Sequence, residues 1–331
     1  MLSAIQEEAA AATSPVVASF GGASSPARVL NAVLRRTVSP VIGAWSYTSR
    51  LPWPYALADH VGRMLVDPPG THRQRVDFSG CTGALVTPAG ARRQVGVYLP
   101  GGALLVGGRH LHRSLVARIA GAARMRMVVP QYRQLPKCSV EDSISDAIDA
   151  YTYALTLVDD PRDVILLGDS AGGFLSFMVA LAARDQGLPM PGAIVALSPL
   201  IELDHHDRGI NKRPAGETIF SPRALREFTK MVRRAQEQTG GVWPIVGPAR
   251  SDLTDLPPTL IQTSAAEILH HEALSMAALL AAAGVPVEVQ VWEGQAHVFQ
   301  AAAGVLPEAA QAIAHIAVFT DRIAQSVERG N

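Results

Sequence analysis

Three side chains in this sequence are of the types and in the places that nucleophilic chemistry needs: a serine, a glutamate and a histidine, each soon after a stretch that reads as a short strand. Ser170 stands in Gly168-Asp169-Ser170-Ala171-Gly172-Gly173. The run before it, Val164 to Leu167, reads as a strand buried on both faces. After it Phe174, Phe177, Met178 and Leu181 recur at helical spacing. A serine on so sharp a strand-to-helix turn has its hydroxyl in the open, and the flanking glycines permit the tight backbone. The N-terminal amides of the following helix point at the same place and favour negative charge there. A glycine–serine turn of some other α/β protein would share the pentapeptide, but not the strand before it and the helix after it.

A serine hydroxyl is a weak nucleophile and requires a base, which in turn needs a carboxylate to orient it. After such an elbow the acid and then the histidine are expected behind later strands. Thr259 to Thr263 is one such strand, and Ser264-Ala265-Ala266-Glu267 follows it. Val287 to Trp292 is the last, and Gly294-Gln295-Ala296-His297 follows that. Glu267 is therefore the expected acid and His297 the expected base. Asp252, Asp255 and Glu272 compete with Glu267, but the first two precede the strand and the third lies inside the next helix. An oxyanion needs converging backbone amides. Ala171 offers one, and the loop Leu99-Pro100-Gly101-Gly102-Ala103, at the end of an earlier strand, offers the others.

The elements that must position these groups alternate along the chain. Gln74 to Phe78 and Gly83 to Thr87 read as an antiparallel pair, Gln94 to Leu99 and Met125 to Pro130 as further strands. Helices are expected over 115–123, 140–157, 271–283 and about 307–326, and a strand over Ala193 to Leu197. This alternation predicts a mostly parallel sheet with helices on both faces. Residues 1 to about 28 are expected to form a loosely held helix or arm. Two or three short helices, broken by Pro40, Pro52 and Pro54, are expected from Val29 to Val66. Their Trp45, Tyr47, Trp53 and Tyr55 suit either core packing or an acyl-binding lid. The alternation lapses between Leu203 and Leu256, where one helix, Ser221 to about Gln238, has a capping serine before a proline. The expected division is 1–72 as an N-terminal helical segment, 73–202 and 256–331 as the two parts of the core, and 203–255 as an insertion.

Taken together, the chain resembles the hormone-sensitive-lipase-like esterases of the α/β-hydrolase superfamily, bacterial carboxylesterases among them. The likeness covers roughly residues 75 to 325. It rests on the Leu99 to Ala103 loop, Tyr132-Arg133 with Pro136 after it, Gly168 to Gly173, and Ser198-Pro199. Leu256-Pro257-Pro258, Glu267-Ile268-Leu269 and His297-Val298-Phe299 complete it. The resemblance implies an α/β-hydrolase fold with a helical cap made from the N-terminal segment and the insertion. It implies a serine carboxylic-ester hydrolase needing no cofactor, with Ser170 as nucleophile, Glu267 as acid and His297 as base. Gly101, Gly102, Ala103 and Ala171 would form the oxyanion loop, and the substrate would be a small acyl ester of short to medium chain. Three departures stand out. Pro100 replaces the usual histidine of the loop, which is expected to lower activity rather than abolish it. Glu267 stands where aspartate is more common, and Val298 where glycine often follows the histidine. The same triad could serve an acyltransferase or amidase, and the same fold with catalysis lost could serve as a binding protein.

Composition narrows the rest. The 331 residues are 48% hydrophobic and carry zero formal net charge, enough for a sizeable core and no electrostatic case for nucleic acid. Cys81 and Cys138 fit no metal spacing and are expected as free thiols. The start, with Glu7 and Glu8, is a poor signal peptide, and no apolar run reaches spanning length, so the expectation is a cytoplasmic protein without stable membrane insertion. A homodimer through the last strand and helix is open. His205-His206-Asp207 and His270-His271-Glu272 lack the spacing of a helical zinc site. Gly101-Gly102 and Gly107-Gly108 lack the residues of a phosphate loop. His110 and His112 are expected to anchor structure, and Arg233-Arg234 to lie on a solvated face.

Overall fold

The computed structural model describes residues 14–204 and 213–329. Among them nine strands form one sheet in the order β1-β9-β8-β7-β6-β4-β5-β3-β2. They are β1 (Val16–Phe20), β2 (His72–Asp77), β3 (Thr82–Thr87), β4 (Val95–Leu99), β5 (Arg126–Pro130), β6 (Val164–Asp169), β7 (Ala193–Leu197), β8 (Thr259–Ser264) and β9 (Val287–Trp292). The helices are α1 (Ser25–Thr48), α2 (Tyr55–Val61), α3 (Arg113–Ala123), α4 (Val140–Leu155), α5 (Ala171–Asp185), α6 (Pro222–Thr239), α7 (His270–Ala282) and α8 (Pro307–Arg329). Only β3 runs antiparallel to its neighbours.

The central strands β4, β6, β7 and β8 are buried at every position, because helices cover both faces of the sheet. Their side chains alternate between two cores. Val164 and Leu166 join Phe174, Phe177 and Tyr151 on the side of α4 and α5. Ile165 and Leu167 join Leu115, Ile119, Ile316 and Phe319 on the side of α3 and α8. Each such aliphatic side chain contributes about 1.5–3 kcal/mol on full burial. The α/β-hydrolase architecture expected from the sequence is therefore present, with each core strand where its apolar run lies.

The N-terminal part departs from expectation twice. Val16–Phe20 is neither helix nor loose arm but an edge strand, paired in parallel with β9 from Val16↔Glu288 to Phe20↔Trp292. The Phe20 ring stacks on Trp292 at 4.2 Å. Five residues between Pro15 and Gly21-Gly22, four of them exposed, show no alternation by which to read a strand. Because β1 occupies the outer edge of β9, edge pairing of two copies through the last strand is closed. The second departure is α1, one 24-residue helix that runs through Pro40. Pro40 and Arg36, whose carbonyl loses its partner, are both exposed, so water can satisfy the lost bond.

The insertion keeps its expected helix, capped by Ser221 with Pro222 in the first turn. It packs along α1: the Arg35 guanidinium donates to the Ala215 and Gly216 carbonyls, and Arg223 to that of Ser46. Trp45 Nε1 donates to the Tyr55 hydroxyl at 2.9 Å, and both rings pack on the main core; Tyr47 is 73% exposed. Cys81 and Cys138 are free. No helix among the described residues is long and apolar enough to cross a membrane.

Candidate active site

The parallel strands place the C-terminal ends of β4, β6, β8 and β9 along one edge of the sheet, where ligands of open α/β sheets bind. Ser170 sits between β6 and α5 at φ 52°, ψ −119°. That left-handed φ costs a non-glycine residue on the order of 1–3 kcal/mol, and its surroundings enforce it. The Ser170 amide donates to the Leu197 carbonyl at 2.9 Å, and its own carbonyl accepts from Gly173 at 2.9 Å and Leu200 at 3.0 Å. A Cβ on Gly172 would overlap the Leu99 carbonyl, so only glycine lets α5 press this closely on β4.

Behind β9, His297 points Nδ1 at Glu267 Oε2, 2.6 Å away. The other Glu267 oxygen accepts from Thr263 Oγ1 at 2.7 Å and the Ser264 amide at 2.8 Å. Burial works to raise the Glu267 pKa, but the hydrogen bond and charge of His297, with Thr263 and Ser264, overcome it and hold the pKa below its ordinary value. For His297 burial works against protonation. The hydrogen bond and charge of Glu267, with Glu217 and Asp169 farther off, outweigh it and hold the pKa above the ordinary imidazole value. Phe220 meets the imidazole edge-on at 5.1 Å. The competing acids are elsewhere: Asp252 and Asp255 are exposed, and Glu272 accepts the Ile201 amide.

Val298 adopts φ 53°, with its amide donated to Ser198 Oγ at 3.2 Å. A β-branched residue in the left-handed region is an outlier, so this turn explains by itself why glycine would be favoured after the histidine.

The loop after β4 turns through three consecutive positive φ values, 116° at Gly102, 56° at Ala103 and 55° at Leu104. The amides of Gly102, Ala103 and Ala171 find no acceptor among the described residues. Gly101 departs from expectation, because its amide already donates to Asp169 Oδ1 at 3.0 Å. It holds the loop in place and cannot serve an oxyanion.

His112 anchors structure as expected, but its partners Asp169 and Tyr98 were not foreseen in the sequence. Asp169, buried beside Ser170, also accepts from the Tyr98 hydroxyl at 2.7 Å and pairs with His112 Nε2 at 3.0 Å. The Tyr132 hydroxyl donates to the Pro100 carbonyl. Burial raises the Asp169 pKa, but His112, Tyr98 and Gly101 together bring it below the ordinary value; burial lowers that of His112, but Asp169 brings it above. The pair is sealed under the loop, each member drawing the other toward its charged form. The side chain at position 100 takes no part in it, so proline there leaves the anchor intact. An aspartate closing a fully buried strand was the available signal, since a buried carboxylate needs partners. The identity of those partners lay far off in sequence.

His110 donates its backbone amide to Asp59. Among the described residues no cluster of histidine, cysteine or carboxylate could hold a metal ion; His205-His206-Asp207 lies outside them.

Residues 96–301 match the sequence profile of the alpha/beta hydrolase fold family. The chain is 35% identical over 287 residues to the esterase LipU of Mycobacterium tuberculosis, covering 84% of this chain and 96% of that one. It is 34% identical over 314 residues to the carboxylesterase/phospholipase LipF of the same organism, covering 92% and 84%. An esterase of the bacterial hormone-sensitive lipase family superposes with a TM-score of 0.76 at 29% identity, over 91% of this chain and 99% of its own. The chain belongs to the hormone-sensitive-lipase-like α/β hydrolases. It is a carboxylic-ester hydrolase. An esterase/lipase from an uncultured bacterium superposes on this esterase with a TM-score of 0.79 at 26% identity, with the same coverage.

Proposed function

We propose that the esterase works through Ser170, His297 and Glu267 by way of an acyl-enzyme, on acyl esters of short to medium chain. The observation that carries this reading is the 2.6 Å bond from the buried Glu267 carboxylate to His297 Nδ1, at the strand edge that also bears Ser170. With Nδ1 held there, Nε2 is left to take the serine proton. Ser170 Oγ attacks the ester carbonyl, and the amides of Gly102, Ala103 and Ala171 receive the oxyanion. His297 passes the proton to the leaving alcohol, then draws one from water as that water attacks the acyl-enzyme. Glu267 holds the tautomer and stabilises the imidazolium.

The N-terminal segment and the 203–255 insertion form the cap over this edge in the same reading. It is supported by the packing of α1 on the insertion and by Phe220 lying against His297. Relatives whose names include an acetyl-hydrolase of Streptomyces hygroscopicus, 34% identical over 246 residues, favour short acyl groups. The test is hydrolysis of p-nitrophenyl esters from acetate to palmitate by the parent and by Ser170→Ala. The parent should favour the shorter chains, and the variant should lose at least about 10⁴-fold in kcat. A variant as active as the parent would place the chemistry elsewhere.

A further inference from the structure

Charge is unevenly spread over a chain whose 29 basic and 29 acidic side chains cancel. From Ser14 to Val66 stand Arg28, Arg35, Arg36, Arg50 and Arg63 against one acid, Asp59. Asp59 is buried, accepting the amides of His110 and Leu111. The same segment carries α1, of which only Ala27 and Ser46 are fully buried. At helical spacing Leu30, Leu34, Val38 and Trp45 fall on its inner side and are half-buried. Val29, Val33, Pro40, Ala44 and Tyr47 fall on the outer side with Arg36 among them, all exposed. Val29 is 63% and Val33 48% exposed. A helix that has already buried one apolar side would ordinarily turn a polar one to water; this one does not.

At the C-terminal end of that outer stripe lies a cavity of about 410 Å³, lined by Arg50, Arg223, Lys230 and Arg234 with one acid, Glu227. Glu227 pairs with Lys230 at 2.7 Å and also feels Arg234, so the lining as a whole carries an excess of three positive charges. The Arg223 guanidinium lies 3.7 Å over the Tyr47 ring and so joins the cavity to the stripe.

We infer that the outer face of α1 and this cavity dock the esterase on an anionic lipid surface. The arginines take phosphate headgroups, and the valines and Tyr47 enter the boundary between headgroup and acyl chain. An apolar stripe interleaved with and flanked by arginines is the composition that lies in such an interface, and each arginine near it adds attraction to anionic lipid. A second copy of the chain is the poorer occupant, since a two-fold contact would set these arginines against their own equivalents. The inference does not depend on the catalytic assignment, and its test involves no turnover.

The test is co-sedimentation of the full chain with vesicles of phosphatidylcholine alone and of phosphatidylcholine mixed equally with phosphatidylglycerol. Binding should be confined to the mixed vesicles and fall away at high salt. Arg36→Glu with Arg50→Glu should weaken it by at least about fivefold per arginine, and Val29→Asp with Val33→Asp should abolish it. An unchanged Tm shows that the variants are folded, and either pair alone suffices for the test. Equal binding to both vesicle types, no binding, or variants that bind like the parent would overturn the inference. So would a parent dimer that Val29→Asp with Val33→Asp splits into monomers, or inorganic phosphate raising the Tm without vesicle binding.

Discussion

At His297 two opposed effects act on one imidazole, and the pH dependence of the reaction reports which wins. Burial favours the neutral ring; the bonded charge of Glu267 favours the imidazolium and prevails. Attack needs the neutral form, so kcat/KM should fall on the acid side through a pKa above the ordinary value of about 6.5. Glu267→Gln keeps the burial and removes the charge. The remaining activity should be lower and its acid limb should move to lower pH, measured as kcat/KM against pH; a limb that stays in place would remove Glu267 from the pair. Val298 supplies a second test at this scale. Val298→Ala and Val298→Gly both lose the side chain, but only glycine is at ease at φ 53°. The glycine variant should be the more stable of the two by about 1 kcal/mol in denaturant melts, and the reverse order would contradict the strain assigned here.

Among the elements, the proposed oxyanion loop depends on the buried pair of Asp169 and His112 rather than on its own residues. The Asp169 pKa lies below its ordinary value, so its contribution to stability is present above about pH 4 and is lost as pH falls through the folded value. The His112 pKa lies above its ordinary value, so its contribution is full below about pH 6.5 and fades as pH rises through the folded value. The pair stabilises most between these limits. His112→Gln removes the group that draws the buried Asp169 toward its charged form and should cost about 3–5 kcal/mol in that window. Pro100→Ala, which retains the carbonyl bonded by Tyr132, should change kcat little by comparison. The first helix makes the opposite case. Proline in a helix interior costs about 3 kcal/mol, so Pro40→Ala should raise the Tm. A lower Tm would mean that the Pro40 ring is needed by its neighbours.

Across the whole molecule, what could be read in advance follows from where burial is two-sided. Strands β4, β6, β7 and β8 are covered on both faces; β4, β6 and β7 are accordingly mainly apolar, and the residues just beyond β6, β8 and β9 could be picked out as the candidates Ser170, Glu267 and His297. The first strand could not be read, because it is short and mostly exposed and owes its form to the free edge of β9. The continuity of α1 was hidden by Pro40, which the helix tolerates despite its cost because water reaches the backbone there. His112 could be read as a structural anchor, but its partners Asp169 and Tyr98 were hidden because they are distant in sequence. The same anchor claims the Gly101 amide, which no local pattern could reveal.

The most direct test of the central claim is reaction with a fluorophosphonate, followed by peptide mass spectrometry to locate the adduct. One adduct is expected, on Ser170, absent in Ser170→Ala and formed far more slowly in His297→Ala. An adduct that persists in Ser170→Ala, or none on the parent under conditions where it hydrolyses esters, would contradict the claim.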